Sequence, residues 1–133
     1  DMEGGQTNEF RPLILVAEDD DSNFKLIKAI IGKKCDIQWA KNGEEIVALF
    51  KEYGKEAKAI LMDIKMPVMN GLDATKIIRE ENKEIPIIMQ TAYAFSSDKE
   101  NAMNAGASEV LVKPITLSIL RGTLTKYFPE LVW

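Results

Sequence analysis

The chain has 133 residues, no histidine, one cysteine and a formal net charge of −4. That length supports one domain with a core of its own. Without histidine these residues cannot form a His-based triad, a His-ligated zinc site or a His general base; the lone Cys35 forbids an intramolecular disulfide, and a pI of about 5.0 argues against a nucleic-acid-binding surface.

Residues 1–10, DMEGGQTNEF, show no periodicity and read as linker or vector-derived residues. Leu13-Ile14-Leu15-Val16-Ala17 is a short continuous apolar run, as expected of a strand buried on both faces. It meets four carboxylates in a row, Glu18-Asp19-Asp20-Asp21. Phe24, Ile27, Ile30 and Ile31 then recur at helical spacing, with Asp21 the expected N-cap and Gly32 the end. Capping and the helix dipole account for one or two of the four acids but not for all. Cys35 reads as a small buried hydrophobe, and the lack of disulfide chemistry suits a reducing compartment.

Residues 36–40 alternate as a second strand. Asn42-Gly43 is a turn or cap, and Ile46, Val47, Leu49 and Phe50 mark a second helix over 44–53, closed by Gly54. Ala59-Ile60-Leu61-Met62 is a third strand, ending on Asp63. Pro67 and Asn70-Gly71 mark a loop, and a helix over 72–82 follows. Residues 85–89 form a fourth strand running into Gln90-Thr91. Ser96 or Ser97 is the expected cap of a fourth helix that ends at Gly106. Residues 109–112 form a fifth strand ending on Lys113-Pro114. Thr116 caps a last helix with Leu117, Leu120 and Leu124 inward. Trp39 and Trp133 read as packing or surface residues. No apolar run is long enough to span a membrane.

Strand and helix alternate five times, which predicts an α/β fold with a doubly wound parallel sheet and helices on both faces. In such a sheet all strand C-termini share one edge, so Glu18, Asp19, Asp63, Thr91 and Lys113 converge although they lie far apart in sequence. In the common order 2-1-3-4-5 the ligand crevice falls between strands one and three, the two that carry the acids. Like carboxylates about 4 Å apart repel by roughly 4 kcal/mol per pair at an effective dielectric near 20. Such a cluster needs a proton or a cation. An all-oxygen donor set suits Mg²⁺, and a dication, a lysine, a hydroxyl and a free carboxylate together suit phosphoryl transfer, with the carboxylate itself as acceptor.

From about residue 12 to 128 the chain resembles the receiver domain of two-component response regulators, in ILVAEDDDSN at 14–23, LMDIKMPVMNG at 61–71, TAYA at 91–94 and the AGA and VKPI segments within 105–115. The resemblance implies the flavodoxin-like sheet order 2-1-3-4-5 and a receiver domain over 11–133. It implies Asp63 as phosphoacceptor, Asp19, Asp63 and the Lys65 carbonyl as Mg²⁺ ligands, Glu18 acting through metal-bound water, and Thr91 and Lys113 gripping phosphoryl oxygens. It also implies a cis bond before Pro114, and Asp20 at the helix start rather than on the metal. Lys65 and Tyr93 would flank the phosphoryl group.

The implied partners are a histidine kinase or a histidine phosphotransfer domain, with homodimerisation on activation and no nucleic-acid or membrane contact by this domain. The implied setting is cytoplasmic, either alone or within a membrane-anchored hybrid kinase. The domain would catalyse its own phosphorylation and dephosphorylation, not the turnover of a metabolite. The docking face is expected on the first helix, with Asn23, Phe24 and Ile27, beside the Pro114 loop. One position departs from the family pattern: Val110 stands where an aromatic is usual. A flavodoxin-type cofactor site is disfavoured by the acidic first loop, and a haloacid-dehalogenase-type phosphatase by Lys65 where a second aspartate is needed. The remaining alternative is an interaction module of the same fold that works without phosphorylation.

Overall fold

The computed structural model describes residues 10–133, so the predicted linker lies outside the described residues except for Phe10, which packs against the core beside Phe128. Five strands and five helices alternate: β1 (Leu13–Ala17), α1 (Asp21–Ile31), β2 (Asp36–Ala40), α2 (Gly43–Tyr53), β3 (Ala57–Asp63), α3 (Gly71–Glu81), β4 (Ile87–Thr91), α4 (Ser96–Ala105), β5 (Glu109–Val112) and α5 (Leu117–Tyr127). The strands form one parallel sheet, as the alternation predicts, in the order β2-β1-β3-β4-β5 that the resemblance implies.

Successive residues of a strand face opposite sides, so the sheet builds two cores. Ile14, Val16, Leu61 and Ile88 face α1 and α5, where Phe24, Ile27, Ile31, Leu120 and Leu124 cover them. Leu15, Ile60, Met62 and Met89 face α2, α3 and α4, under Ile46, Phe50, Ile78 and Ala102. Counting by twos along the first face carries the chain from Val16 to Glu18 and from Leu61 to Asp63. The two acids therefore leave adjacent strands on the same side.

Several local expectations are corrected. Asp20, not Asp21, caps α1, accepting from the Ser22 N–H; Asp21 is in the first turn and pairs with Lys41 at 3.6 Å. Neither Ser96 nor Ser97 caps α4. Phe95 holds that position and offers no side-chain acceptor. β4 begins at Ile87, because Pro86 has no N–H to add to the ladder and supplies only its carbonyl, to Ile60. Leu117 is half exposed rather than inward. Phe24 and Ile27 are core residues of α1 and are not available to a partner. Cys35 is buried, as predicted, and burial pushes its thiol up to about 11, out of the reactive range.

The loop after β3 folds back hard on the sheet. Gly71 donates to the Ile64 carbonyl at 2.8 Å, and a Cβ on Gly71 would lie 2.1 Å from the Asp63 carbonyl oxygen. No larger residue fits there without moving the strand end that carries Asp63. At the tip of the same loop Val68 has φ of 69° while 72% exposed. A β-branched residue in the left-handed region stores strain with little packing to offset it. Val68→Asn, which tolerates that region, is expected to stabilise the protein by about 1 kcal/mol and raise Tm by about 3–5 °C. Thermal unfolding checks this, and a lower Tm would contradict it.

Candidate functional site

At the C-terminal edge of the sheet, Glu18, Asp19, Asp63, Lys65, Thr91, Tyr93 and Lys113 line one cleft of about 210 Å³. Each sequence-predicted site residue is in it. Glu18 and Asp19 extend β1, Asp63 ends β3, Thr91 ends β4 and Lys113 follows β5. The Ile64 N–H donates to the Gln90 carbonyl, and the Lys113 N–H donates to the Thr91 carbonyl at 2.7 Å. The ladders thus run slightly past the strands and fix the backbone on which Asp63 and Lys113 stand. The peptide bond before Pro114 is cis.

Oxygens of Glu18, Asp19 and Asp63 lie within 4.8 Å of one another. Glu18 has no exposure and Asp63 has 5%, whereas Asp19 is exposed. Lys113 Nζ is 2.9 Å from Asp63 Oδ2 and 3.6 Å from Glu18 Oε1. Burial pushes the Glu18 carboxyl up to about 7, with the charge of Asp63 adding to it; the Asn23 amide, Lys113 and the Asp20 N–H oppose the rise. Burial works against the Lys113 ammonium too, but the hydrogen bond and charge of Asp63 outweigh it and its pKa is raised. The ammonium is therefore held charged between two acids.

One lysine does not neutralise three carboxylates. The donor set is entirely oxygen, two of its members, Glu18 and Asp63, are buried, and Asp19 opens to solvent. This chemistry fits a hard dication that keeps part of its water shell, so Mg²⁺ fits the residues present. The Thr91 hydroxyl accepts from the Tyr93 N–H at 3.1 Å, which leaves its own proton free to donate into the cleft. At the rim, Lys65 Nζ lies 5.5 Å from the centroid of the Tyr93 ring.

Three supports escape sequence reading. Asn23, expected on a docking face, donates its side-chain amide to Glu18 Oε1. The Asp20 N–H reaches Glu18 Oε2 at 3.2 Å. Trp39, read as packing, donates its indole N–H to the Glu18 carbonyl at 2.8 Å. The position of Asn23, five residues beyond Glu18 and across the first turn of α1, was the available signal for the first. The Trp39 contact crosses strands and has no local signal.

The family model for the response regulator receiver domain matches residues 14–125. The chain is 41% identical over 129 residues to hybrid signal transduction histidine kinase I of Dictyostelium discoideum, covering 88% of this chain and 7% of that protein. It spans 4–13% of the lengths of several hybrid kinases it matches. Among solved structures it is similar to the receiver domain of sensor histidine kinase PA1611 from Pseudomonas aeruginosa with magnesium coordinated in the active-site cleft (31% identity, TM-score 0.80, 88% and 97% of the two chains). It is also similar to a chain from the Saccharomyces cerevisiae co-crystal of the histidine phosphotransfer protein Ypd1 and the receiver domain of the response regulator Ssk1 (28% identity, TM-score 0.84, 95% and 96%).

The ion pairs of the cleft set a stability cycle. Lys113→Met leaves two buried acids without their cation and is expected to cost about 3 kcal/mol in EDTA. The same change in a Glu18→Gln background is expected to cost clearly less, because only Asp63 is then left unpaired. Urea titration of the four proteins measures this. Equal losses in both backgrounds would show that Lys113 does not answer Glu18.

Proposed function

The chain belongs to the response regulator receiver domain family, and on that premise we propose that it is a phosphoacceptor switch taking a phosphoryl group from a partner's phosphohistidine onto Asp63. The observation that carries this reading is the carboxylate of Asp63, almost buried, held at one oxygen by Lys113 and set among two further acids. With Oδ2 engaged by Lys113, Oδ1 accepts no hydrogen bond among the described residues. It is the oxygen available to attack.

In the transfer, Oδ1 forms a P–O bond as the P–N bond of the phosphohistidine breaks, and the released imidazole nitrogen takes a proton from solvent. The product is an acyl phosphate on Asp63. Lys113 stands beside the acceptor carboxylate and takes up negative charge that develops on the phosphoryl oxygens. Thr91, its oxygen already satisfied by the Tyr93 N–H, donates its proton to another. Asp19, Asp63 and the Lys65 carbonyl would hold Mg²⁺, with Glu18 acting through a bound water. When bound, the ion supplies positive charge between acceptor and transferring group. In dephosphorylation water attacks phosphorus and gives up a proton to solvent, the P–O bond to Asp63 breaks, the carboxylate is restored and inorganic phosphate leaves.

No residue of this chain is a histidine, so the donor is a histidine kinase or a histidine phosphotransfer domain. The pairing in the Ypd1–Ssk1 co-crystal supports that class of partner. With Phe24 and Ile27 committed to the core, the large apolar residues left exposed on α1 and at the start of α5 are Leu26, Leu117 and Ile119. Both helices cover the sheet face from which Glu18 and Asp63 emerge, so this surface receives the donor.

Phosphotransfer assays with a purified phosphohistidine donor test the reading. Asp63→Asn is expected to abolish transfer. Thr91→Val is expected to slow it about a hundredfold, in line with loss of one transition-state donor. Transfer undiminished in Asp63→Asn would overturn the assignment. Leu26→Asp is expected to slow transfer from the protein donor at least about tenfold and leave phosphorylation by acetyl phosphate unchanged; equal slowing with both donors would remove Leu26 from the docking surface.

A further inference from the structure

Glu18 is the hinge between the end of β1 and the acidic loop, and both of its main-chain polar groups are held by neighbouring residues of β2. Its N–H donates to the Ala40 carbonyl at 2.9 Å. Its carbonyl accepts from the indole Nε1 of Trp39 at 2.8 Å. The first bond is ladder continuation, available to any sequence. The second exists only because a tryptophan sits at this register position, paired with Val16 one turn of pleat before the loop.

The indole itself is fixed. It stacks on Phe24 with centroids 3.9 Å apart and planes 3° from parallel. Lys41 Nζ lies 4.8 Å from its centroid and also pairs with Asp21 at 3.6 Å. Stacking needs only an aromatic face, and any aromatic ring at position 39 supplies it. Holding the Glu18 carbonyl needs a ring donor, which among the aromatic carbons and hydroxyls of Phe and Tyr is absent at this place on the ring. The two roles are thus chemically separable.

We propose that Trp39 is a positioning residue for the cation site, its indole N–H locking the Glu18–Asp19 peptide so that Asp19 is held ready for the ion. The inference rests on the Mg²⁺ reading of the cleft given above. Because the peptide is planar, fixing the Glu18 carbonyl fixes the plane from which Asp19 starts. The carboxylate of Glu18 is tied separately, by Asn23 and the Asp20 N–H. Asp19, the exposed member of the acidic set, has its placement governed by the backbone behind it, and Trp39 governs that backbone. It follows that the indole senses the ion. Trp133, the other tryptophan, donates to Thr125 on α5 and packs under Arg121, away from the cleft.

The test is a Mg²⁺ titration followed by thermal shift, on the native chain, Trp39→Phe and Phe24→Leu, together with tryptophan emission from a Trp133→Phe protein. Trp39→Phe keeps a ring against Phe24 and loses only the donor. It is expected to weaken Mg²⁺ about fivefold, the scale of one lost hydrogen bond behind a ligand. Phe24→Leu keeps the donor and loses the stack. It is expected to lower Tm while changing Mg²⁺ affinity less than about twofold. Emission of the Trp133→Phe protein, which then comes from Trp39 alone, is expected to change with Mg²⁺ along the same curve. Native-like affinity in Trp39→Phe, or emission from Trp39 that is indifferent to Mg²⁺ while the native protein is stabilised by it, overturns the inference and leaves the metal reading standing. A native chain that shows no Mg²⁺ stabilisation overturns both.

Discussion

The Glu18 carboxylate is fully buried at the end of a strand, within metal-binding distance of Asp63, and Lys113 is the cation that answers both. The arrangement is costly by design. Burial pushes Glu18 toward neutrality, the charge of Asp63 pushes in the same direction, and two neutral donors plus one ammonium pull back. A parallel sheet makes it possible, because it delivers the ends of β1, β3, β4 and β5 to one edge on rigid backbone. Ladder bonds from Ile64 and Lys113 carry that rigidity one residue past the strands. The concentration of negative charge favours a dication in the cleft and disfavours a free anion.

Supports around the cleft come from each neighbouring layer. α1 contributes Asn23 and the Asp20 cap, β2 contributes Trp39, and α3 approaches so closely at Gly71 that only a glycine fits against the Asp63 carbonyl. By contrast α4 is held lightly. It buries Ala102 and Ala105, lacks a side-chain cap, and leaves Phe95 and Met103 exposed. With few buried apolar contacts it belongs to the low-stability end of the molecule. Val110, half-buried where the family usually has an aromatic, packs against the core on the α4 side of the sheet. Between the cleft and α4 stand Thr91 and Tyr93, joined by the Tyr93 N–H bond to the Thr91 hydroxyl, and the ring of Tyr93 is half exposed.

The fold and the membership of the cleft were legible because both depend on local pattern. Buried parallel strands appear as short apolar runs, such as Leu13–Ala17, and each ends on the polar residue that matters. The alternation of strand and helix places those ends together. Structure departs from sequence expectation where tertiary contact decides. Phe24 and Ile27 share the helical periodicity of any amphipathic face, and an apolar stripe does not say by itself whether it meets the sheet or a partner. Asp20 and Asp21 are chemically equal candidates for a cap, and the choice is made by where β1 ends. The roles of Asn23 and Trp39 at the cleft escape sequence for the same reason: they are defined by Glu18, a residue that neither adjoins in sequence.

Whether Asp63 is a Mg²⁺-dependent phosphoacceptor is decided by intact mass after incubation with acetyl phosphate, with Asp63→Asn and EDTA controls, alongside a beryllofluoride and Mg²⁺ titration followed by thermal shift. One phosphoryl group is expected to add to the native chain and to be lost in both controls, with stabilisation by beryllofluoride and Mg²⁺ that Asp63→Asn does not show. An adduct that persists in Asp63→Asn, or a native chain that forms no adduct and ignores beryllofluoride, would contradict it.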